Sequence, residues 1–202
     1  LHLKDIREHY HAVIFATGAI KDAELKIPGI ELEGSYGAAD FVSWYDGHPD
    51  YPRTWPLNAK EVAVLGNGNV ALDVARVLAK LPDDMLSTDI PANVYEGLKQ
   101  SPVTDVHVFG RRGPQNIKFT PIELRELGEV ENVDIVVYEE DFAPLPGKES
   151  WFDEDADGIT NQHKVMARIM NEWRERELTG APRRLHLHFW HKPVEVLGKD
   201  GK

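Results

Sequence analysis

Gly66, Gly68 and Ala71 stand in a G-x-G-x-x-A spacing between a short apolar run and a segment of helical periodicity. A diphosphate asks for these residue types: two glycines let the backbone come close, and a small third residue lets the helix pack tightly on its own strand. Free N–H groups at the helix start then face the anion. The next apolar run ends in Gly110-Arg111-Arg112. Where an NAD site usually carries a carboxylate for the ribose, two guanidinium groups suit a 2'-phosphate, gripped through paired charge-assisted hydrogen bonds. Together the two segments read as an NADP(H) site; without the strand ahead of it, the arginine pair would be a solvated turn.

The elements that must hold these residues follow from the pattern. Residues 62–65 suit a parallel strand buried on both faces, and residues 70–80 a helix free of Gly and Pro. A second strand over 105–109 should run beside the first. The interval from Ala71 to Arg111 is about twice the usual ~20 residues. An inserted helix over 91–99 accounts for it, set off by the breaker Pro82-Asp83-Asp84, with Thr88-Asp89 available as a cap and Pro91 in its first turn. The remaining expectations are a strand over 11–16, a turn at Pro28-Gly29, a short helix over 38–44 and a rigid connection through Pro49, Pro52 and Pro56. Beyond these come a helix opened by Thr120-Pro121, a strand over 133–138 and a long helix over 161–178. Residues 184–197 alternate and predict a terminal antiparallel ribbon, with Asp200-Gly201 as its hairpin turn. The fold class is a Rossmann-like, three-layer α/β domain with a parallel sheet and a short antiparallel ribbon.

These residues resemble the adrenodoxin reductase-like ferredoxin-NADP reductases, two-domain flavoproteins on the glutathione-reductase plan. The likeness rests on the run from Gly66 to Arg76, on Gly110-Arg111-Arg112-Gly113-Pro114 and on the run from Phe119 to Leu127. Upstream, the runs from Tyr10 to Ala19 and from Asp40 to Tyr45 also match. The resemblance implies that Gly66, Asn67, Gly68, Asn69 and Val70 hold the pyrophosphate, with Ala71 behind them, and that Arg111 and Arg112 hold the 2'-phosphate. It places Glu123 and Glu126 toward the nicotinamide as the catalytic candidates, Glu123 also contacting the cofactor; from the residues alone, both are early carboxylates favoured by the helix dipole. It further implies hydride transfer from NADPH to FAD, then single electrons to an iron-sulfur ferredoxin. The family's FAD fingerprint has no counterpart in these residues, so the chain reads as one NADP(H)-binding domain, 1–202, excised from a longer FAD-containing reductase and inactive alone. Two alternatives stay open: the NADPH-binding part of an amidotransferase-associated electron-transfer flavoprotein resembling a glutamate synthase small subunit, and a noncatalytic NADP-binding sensor.

Composition narrows the field. A net charge of -11 argues against nucleic-acid partners and would repel an acidic nucleotide at long range, so local arginines must outweigh the overall field. Zero cysteines exclude disulfides, thiolate metal sites and a redox dithiol. No apolar run approaches membrane length, and nothing at the start resembles a targeting peptide, so the expected setting is cytoplasmic.

Three other constellations read as structure. Asp153, Asp155, Asp157 and Gly158 copy half an EF-hand loop, but its twelfth position is Lys164, where calcium needs a bidentate Glu. Tyr95 and Lys99 have the spacing of a short-chain dehydrogenase pair without that family's glycine turn. His186 and His188, like His9 and His11, share one strand face, with no further ligand at a diagnostic offset. The sequence reading therefore assigns no metal.

Overall fold

Two helices precede the sheet in the computed structural model, which describes residues 2–15, 21–117, 119–144 and 146–198. They are α1, Leu3–His9, which the sequence pattern does not announce, and α2, Ala38–Tyr45. The apolar run ahead of the glycine turn is strand β1, Glu61–Leu65, and the segment behind it is α3, Asn69–Ala79. The inserted helix is α4, Ala92–Gln100, with Pro91 as its N-cap residue rather than in its first turn. Thr88 does not cap it; its hydroxyl donates to the Met85 carbonyl. Strand β2 is Asp105–Phe109, as the pattern predicts. After it come α5, Pro121–Gly128, strand β3, Val133–Val137, helix α6, Asn161–Glu175, and strand β4, Arg183–His188.

The four strands form one parallel sheet in the order β1-β2-β4-β3. Alternation along them builds two different faces. Val64, Val106, Val108, Leu185, Leu187 and Ile135 are buried, and α3 lies over β1, β2 and β4 with Leu72, Ala75 and Leu78 at or below 4% exposure. Fully burying a Leu or Val contributes about 1.5–3 kcal/mol, so this layer dominates the stability. Arg183 opens β4 from a buried position, and its guanidinium donates to the carbonyls of Leu78 and Lys80 at the end of α3. Those carbonyls would otherwise lack intrahelical partners.

The terminal ribbon is corrected. Residues 183–188 pair in parallel with β2 on one side and β3 on the other, and 189–198 form no strand. A period of two fits a half-buried parallel strand as well as a ribbon, so the alternation could not choose. Beyond His188, Pro193 supplies no N–H, and Val194 and Leu197 are 68% and 81% exposed. The Asp200-Gly201 turn lies outside the described residues. No strand forms over 11–15; the remainder of that expected strand, and Thr17-Gly18-Ala19 of the family likeness, also lie outside them. No helix among the described residues is long and apolar enough to cross a membrane.

Candidate functional site

The chain leaves β1 through Gly66, whose φ of +139° is a conformation side-chain-bearing residues rarely adopt. Its N–H donates to the Phe109 carbonyl at 3.0 Å, which fixes the turn to the end of β2. A Cβ on Gly66 would lie 3.7 Å from that of Ala71, so the small third residue meets its small first one at van der Waals contact. Gly68 is the N-cap of α3 and offers no side chain to the first-turn amides, and that turn carries no acidic residue. By contrast, α5 and α6 each begin with a threonine whose hydroxyl accepts from the third residue's N–H. The macrodipole therefore faces outward uncompensated at the glycine turn.

Asn67 sharpens this reading. Its Nδ2 is the one buried side-chain nitrogen or oxygen among the described residues with no hydrogen-bond partner. Leaving such a group unpaired costs about 1–3 kcal/mol. The amide lies against Gly110, where a Cβ would come within 2.7 Å of Nδ2. A side chain at residue 110 would therefore displace the Asn67 amide across the turn.

Arg111 and Arg112 are exposed, and among the described residues neither enters an ion pair. Their loop is held by the segment after β4. Gly110 N–H donates to His188 O at 2.8 Å, His191 N–H to Gly110 O at 2.9 Å, and Trp190 N–H to Arg112 O at 3.4 Å. Trp190 adopts φ +62°, rests its indole against Gly113, and donates from Nε1 to Asp141 O at 3.2 Å. Asp141 takes the Phe189 N–H at 2.8 Å, and burial pushes its carboxyl up.

The two glutamates are structurally engaged. Glu123 Oε2 accepts from Thr120 N–H at 2.8 Å, closing a capping box at the start of α5. Glu126 Oε2 accepts from Arg76 Nη1 at 2.9 Å, while Nη2 of Arg76 donates to Asp73 at 2.8 Å. The pairing sets α5 beside the helix that follows the glycine turn.

Sequence reasoning missed a ladder of rings on the other face of the sheet. The register pairs His107 with His186 and Phe109 with His188. His107 stacks on His186 at 4.2 Å, and His188 lies between Phe109 at 4.5 Å and Tyr138 at 4.6 Å. Beneath it, Asp105 Oδ1 accepts from Arg184 Nε at 2.6 Å and lies 2.8 Å from His186 Nε2. The Arg184 bond, opposed by burial and aided by His186 and Thr104, holds the Asp105 carboxyl well below the usual carboxylate range. Burial pushes His186 down and His188 down to about 4, so at neutral pH His186 meets Asp105 as a neutral imidazole rather than as half of an ion pair. Only the parallel register joins these residues, which is why spacing along the chain gave no signal.

Asp153 pairs with Lys148 at 2.9 Å, and the Tyr95 hydroxyl donates to Asp83 while accepting from Lys99.

A parallel α/β sheet with a strand, a glycine turn and an uncapped helix defines a dinucleotide-binding class of fold. No protein-family model matches the chain. It is 41% identical over 196 residues to the NADPH-ferredoxin reductase FprA of Mycobacterium tuberculosis, an alignment covering 96% of this chain and 42% of that protein. It is 37% identical over 202 residues to the mitochondrial NADPH:adrenodoxin oxidoreductase of Arabidopsis thaliana, covering 99% of this chain and 42% of that protein. Mycobacterium tuberculosis FprA in complex with NADPH superposes with a TM-score of 0.85 at 38% identity, covering 98% of this chain and 43% of that one. The chain is homologous to the adrenodoxin reductase-like ferredoxin-NADP reductases and spans about two fifths of the length of the relatives it matches.

Proposed function

We propose that this chain is the NADP(H)-binding part of a ferredoxin-NADP reductase. The observation that carries the reading is the buried, unpartnered Asn67 Nδ2 beside the uncapped start of α3, a donor and a positive helix end facing the same turn. In this reading the turn from Gly66 through Asn67, Gly68 and Asn69 to Val70 holds the pyrophosphate, with Gly66 shaping the turn while its own N–H stays on Phe109 O, Ala71 keeps the helix close, and Arg111 and Arg112 take the 2'-phosphate. In the whole reductase these residues would hold NADPH, which would supply a hydride to FAD for single-electron delivery to an iron-sulfur ferredoxin. The relatives, an NADPH-ferredoxin reductase and an NADPH:adrenodoxin oxidoreductase, support that assignment, as does the NADPH complex of the structural neighbour. A cytoplasmic setting belongs to the same reading, although the plant relative is named mitochondrial.

Calorimetric titration of the chain with NADP+ and NAD+ tests the nucleotide assignment. The expected result is one site that prefers NADP+ by about a hundredfold or more, the effect of two or more charge-assisted bonds to the 2'-phosphate. Equal affinity for the two nucleotides would remove that role from Arg111 and Arg112.

The family resemblance assigns Glu123 and Glu126 to the nicotinamide end; in the fold Glu123 closes a capping box and Glu126 pairs with Arg76. Glu126→Gln in the full-length reductase should slow the hydride step, followed by stopped-flow bleaching of the flavin, while unfolding shifts little because the pair is exposed. An unaltered hydride rate would strike Glu126 from the catalytic set.

A further inference from the structure

Asp105, His107 and His186 bring three metal-ligating groups together on the face of the sheet opposite α3. One donor atom from each lies within 4.8 Å of the others; Asp105 and His186 are buried and His107 is half-buried. We propose that these residues form a binding site for a zinc-class divalent transition metal, tying β2 to β4. It is a site separate from the nucleotide turn and does not rest on the nucleotide reading.

The donor set is two imidazoles and a carboxylate, which suits Zn(II) or Co(II) rather than Mg(II) or Ca(II). A proton now bridges His186 and Asp105 where the metal would, and His107 must leave His188 to reach the ion. His186 Nε2 is 2.8 Å from Asp105 Oδ1, and His107 Nδ1 is 3.0 Å from His188 Nε2. Ligand atoms on a tetrahedral zinc stand about 3.3 Å apart, given bonds near 2.0–2.1 Å, so the His186–Asp105 pair opens by a few tenths of an ångström while donor atoms now up to 4.8 Å apart close on the ion. The stacked ring of His107 must also turn about χ2 to aim its nitrogen at the ion, a soft torsion for a half-buried imidazole. His186 is oriented already: the Tyr138 hydroxyl lies 2.8 Å from Nδ1, the outer partner a metal-bound histidine ordinarily has. Thr104 holds the second oxygen of Asp105 at 2.8 Å. All three proposed ligands and His188 sit on strands in fixed register, which positions them better than loops would.

One competitor is visible. Arg184 Nε occupies Asp105 Oδ1 at 2.6 Å, yet its side chain is 51% exposed and free to swing into solvent. The metal and this guanidinium compete for the same oxygen.

Titration of the chain with Zn2+ by calorimetry, and with Co2+ by visible absorption, tests the site. The expected result is one ion per chain in the micromolar range and a Co2+ spectrum of tetrahedral intensity. His186→Ala and His107→Gln should each weaken binding at least tenfold, whereas Arg184→Gln should tighten it several-fold by freeing Asp105. Circular dichroism on each variant confirms folding, and His107→Gln, at a half-buried position, serves if His186→Ala does not fold. No one-to-one binding at 100 μM metal would overturn the site, as would binding that both histidine variants leave unchanged, since the ion would then sit on other histidines.

Discussion

Replacing Arg111 and Arg112 together with Ala should cost the chain its preference between nucleotides: NADP+ affinity should fall by about a hundredfold or more, and NAD+ affinity should hold within about twofold. The asymmetry follows from where the guanidinium groups act. Each can offer a 2'-phosphate two parallel donors, and hydrogen bonds to charged groups are worth about 1.5–3 kcal/mol each. NAD+ carries a hydroxyl there and meets neither. The variant should keep its fold, because among the described residues both side chains are exposed and outside ion pairs, while their loop is fixed through backbone bonds from Gly110 and Arg112 to 188–191. With a net charge of -11, the protein repels a nucleotide at long range, so the loss must come from local contacts. Calorimetry with both nucleotides reads the two affinities directly. A parallel loss for NAD+ would mean that the arginines serve the shared pyrophosphate, and an unchanged NADP+ affinity would place the 2'-phosphate elsewhere.

What the sequence made legible was local. Strand β2 occupies its expected residues, α3 is displaced by one residue from its expected start and end, and α5 opens at Thr120-Pro121 as the pattern has it. The glycine turn carries its own steric signature, confirmed by the φ of Gly66. Sheet order was not legible, because alternation in 183–188 is common to a ribbon and to a half-buried central strand. The insertion of β4 between β2 and β3 depends on contacts far apart in sequence: Arg183 on the end of α3, Arg184 on Asp105, and Asp134 on the turn before β4. The brace of Trp190 behind the arginine loop, like the histidine ladder, exists only once that order is set. The early, dipole-favoured position of Glu123 was legible, but neither its closing of the capping box nor the partner of Glu126 was, since Arg76 lies on a different helix.

The contact that threads β4 into place should also be the largest single polar contribution to stability. Asp134 on β3 is 4% exposed, and its two oxygens accept four bonds: from Thr179 N–H at 3.0 Å, Thr179 Oγ1 at 2.8 Å, Gly180 N–H at 2.9 Å and Ala181 N–H at 3.0 Å. Burial pushes its carboxyl up, but these donors outweigh burial and hold it below its ordinary value. Asp134→Ala should therefore destabilise the fold by about 3 kcal/mol in urea unfolding, less than four full charged bonds because water reaches the exposed turn. Asp134→Asn should cost nearly as much, since its NH2 group would face amide donors. The sign with pH is fixed by the lowered carboxyl: its stabilisation is present above the ordinary carboxylate pKa and is lost as pH falls through the folded-state value. The stability gap between the parent and Asp134→Asn should therefore hold from pH 7 to 5 and narrow below about pH 4. A gap that stays constant down to pH 2, or an Asn variant as stable as the parent at pH 7, would show that the turn before β4 is held by packing rather than by this carboxylate.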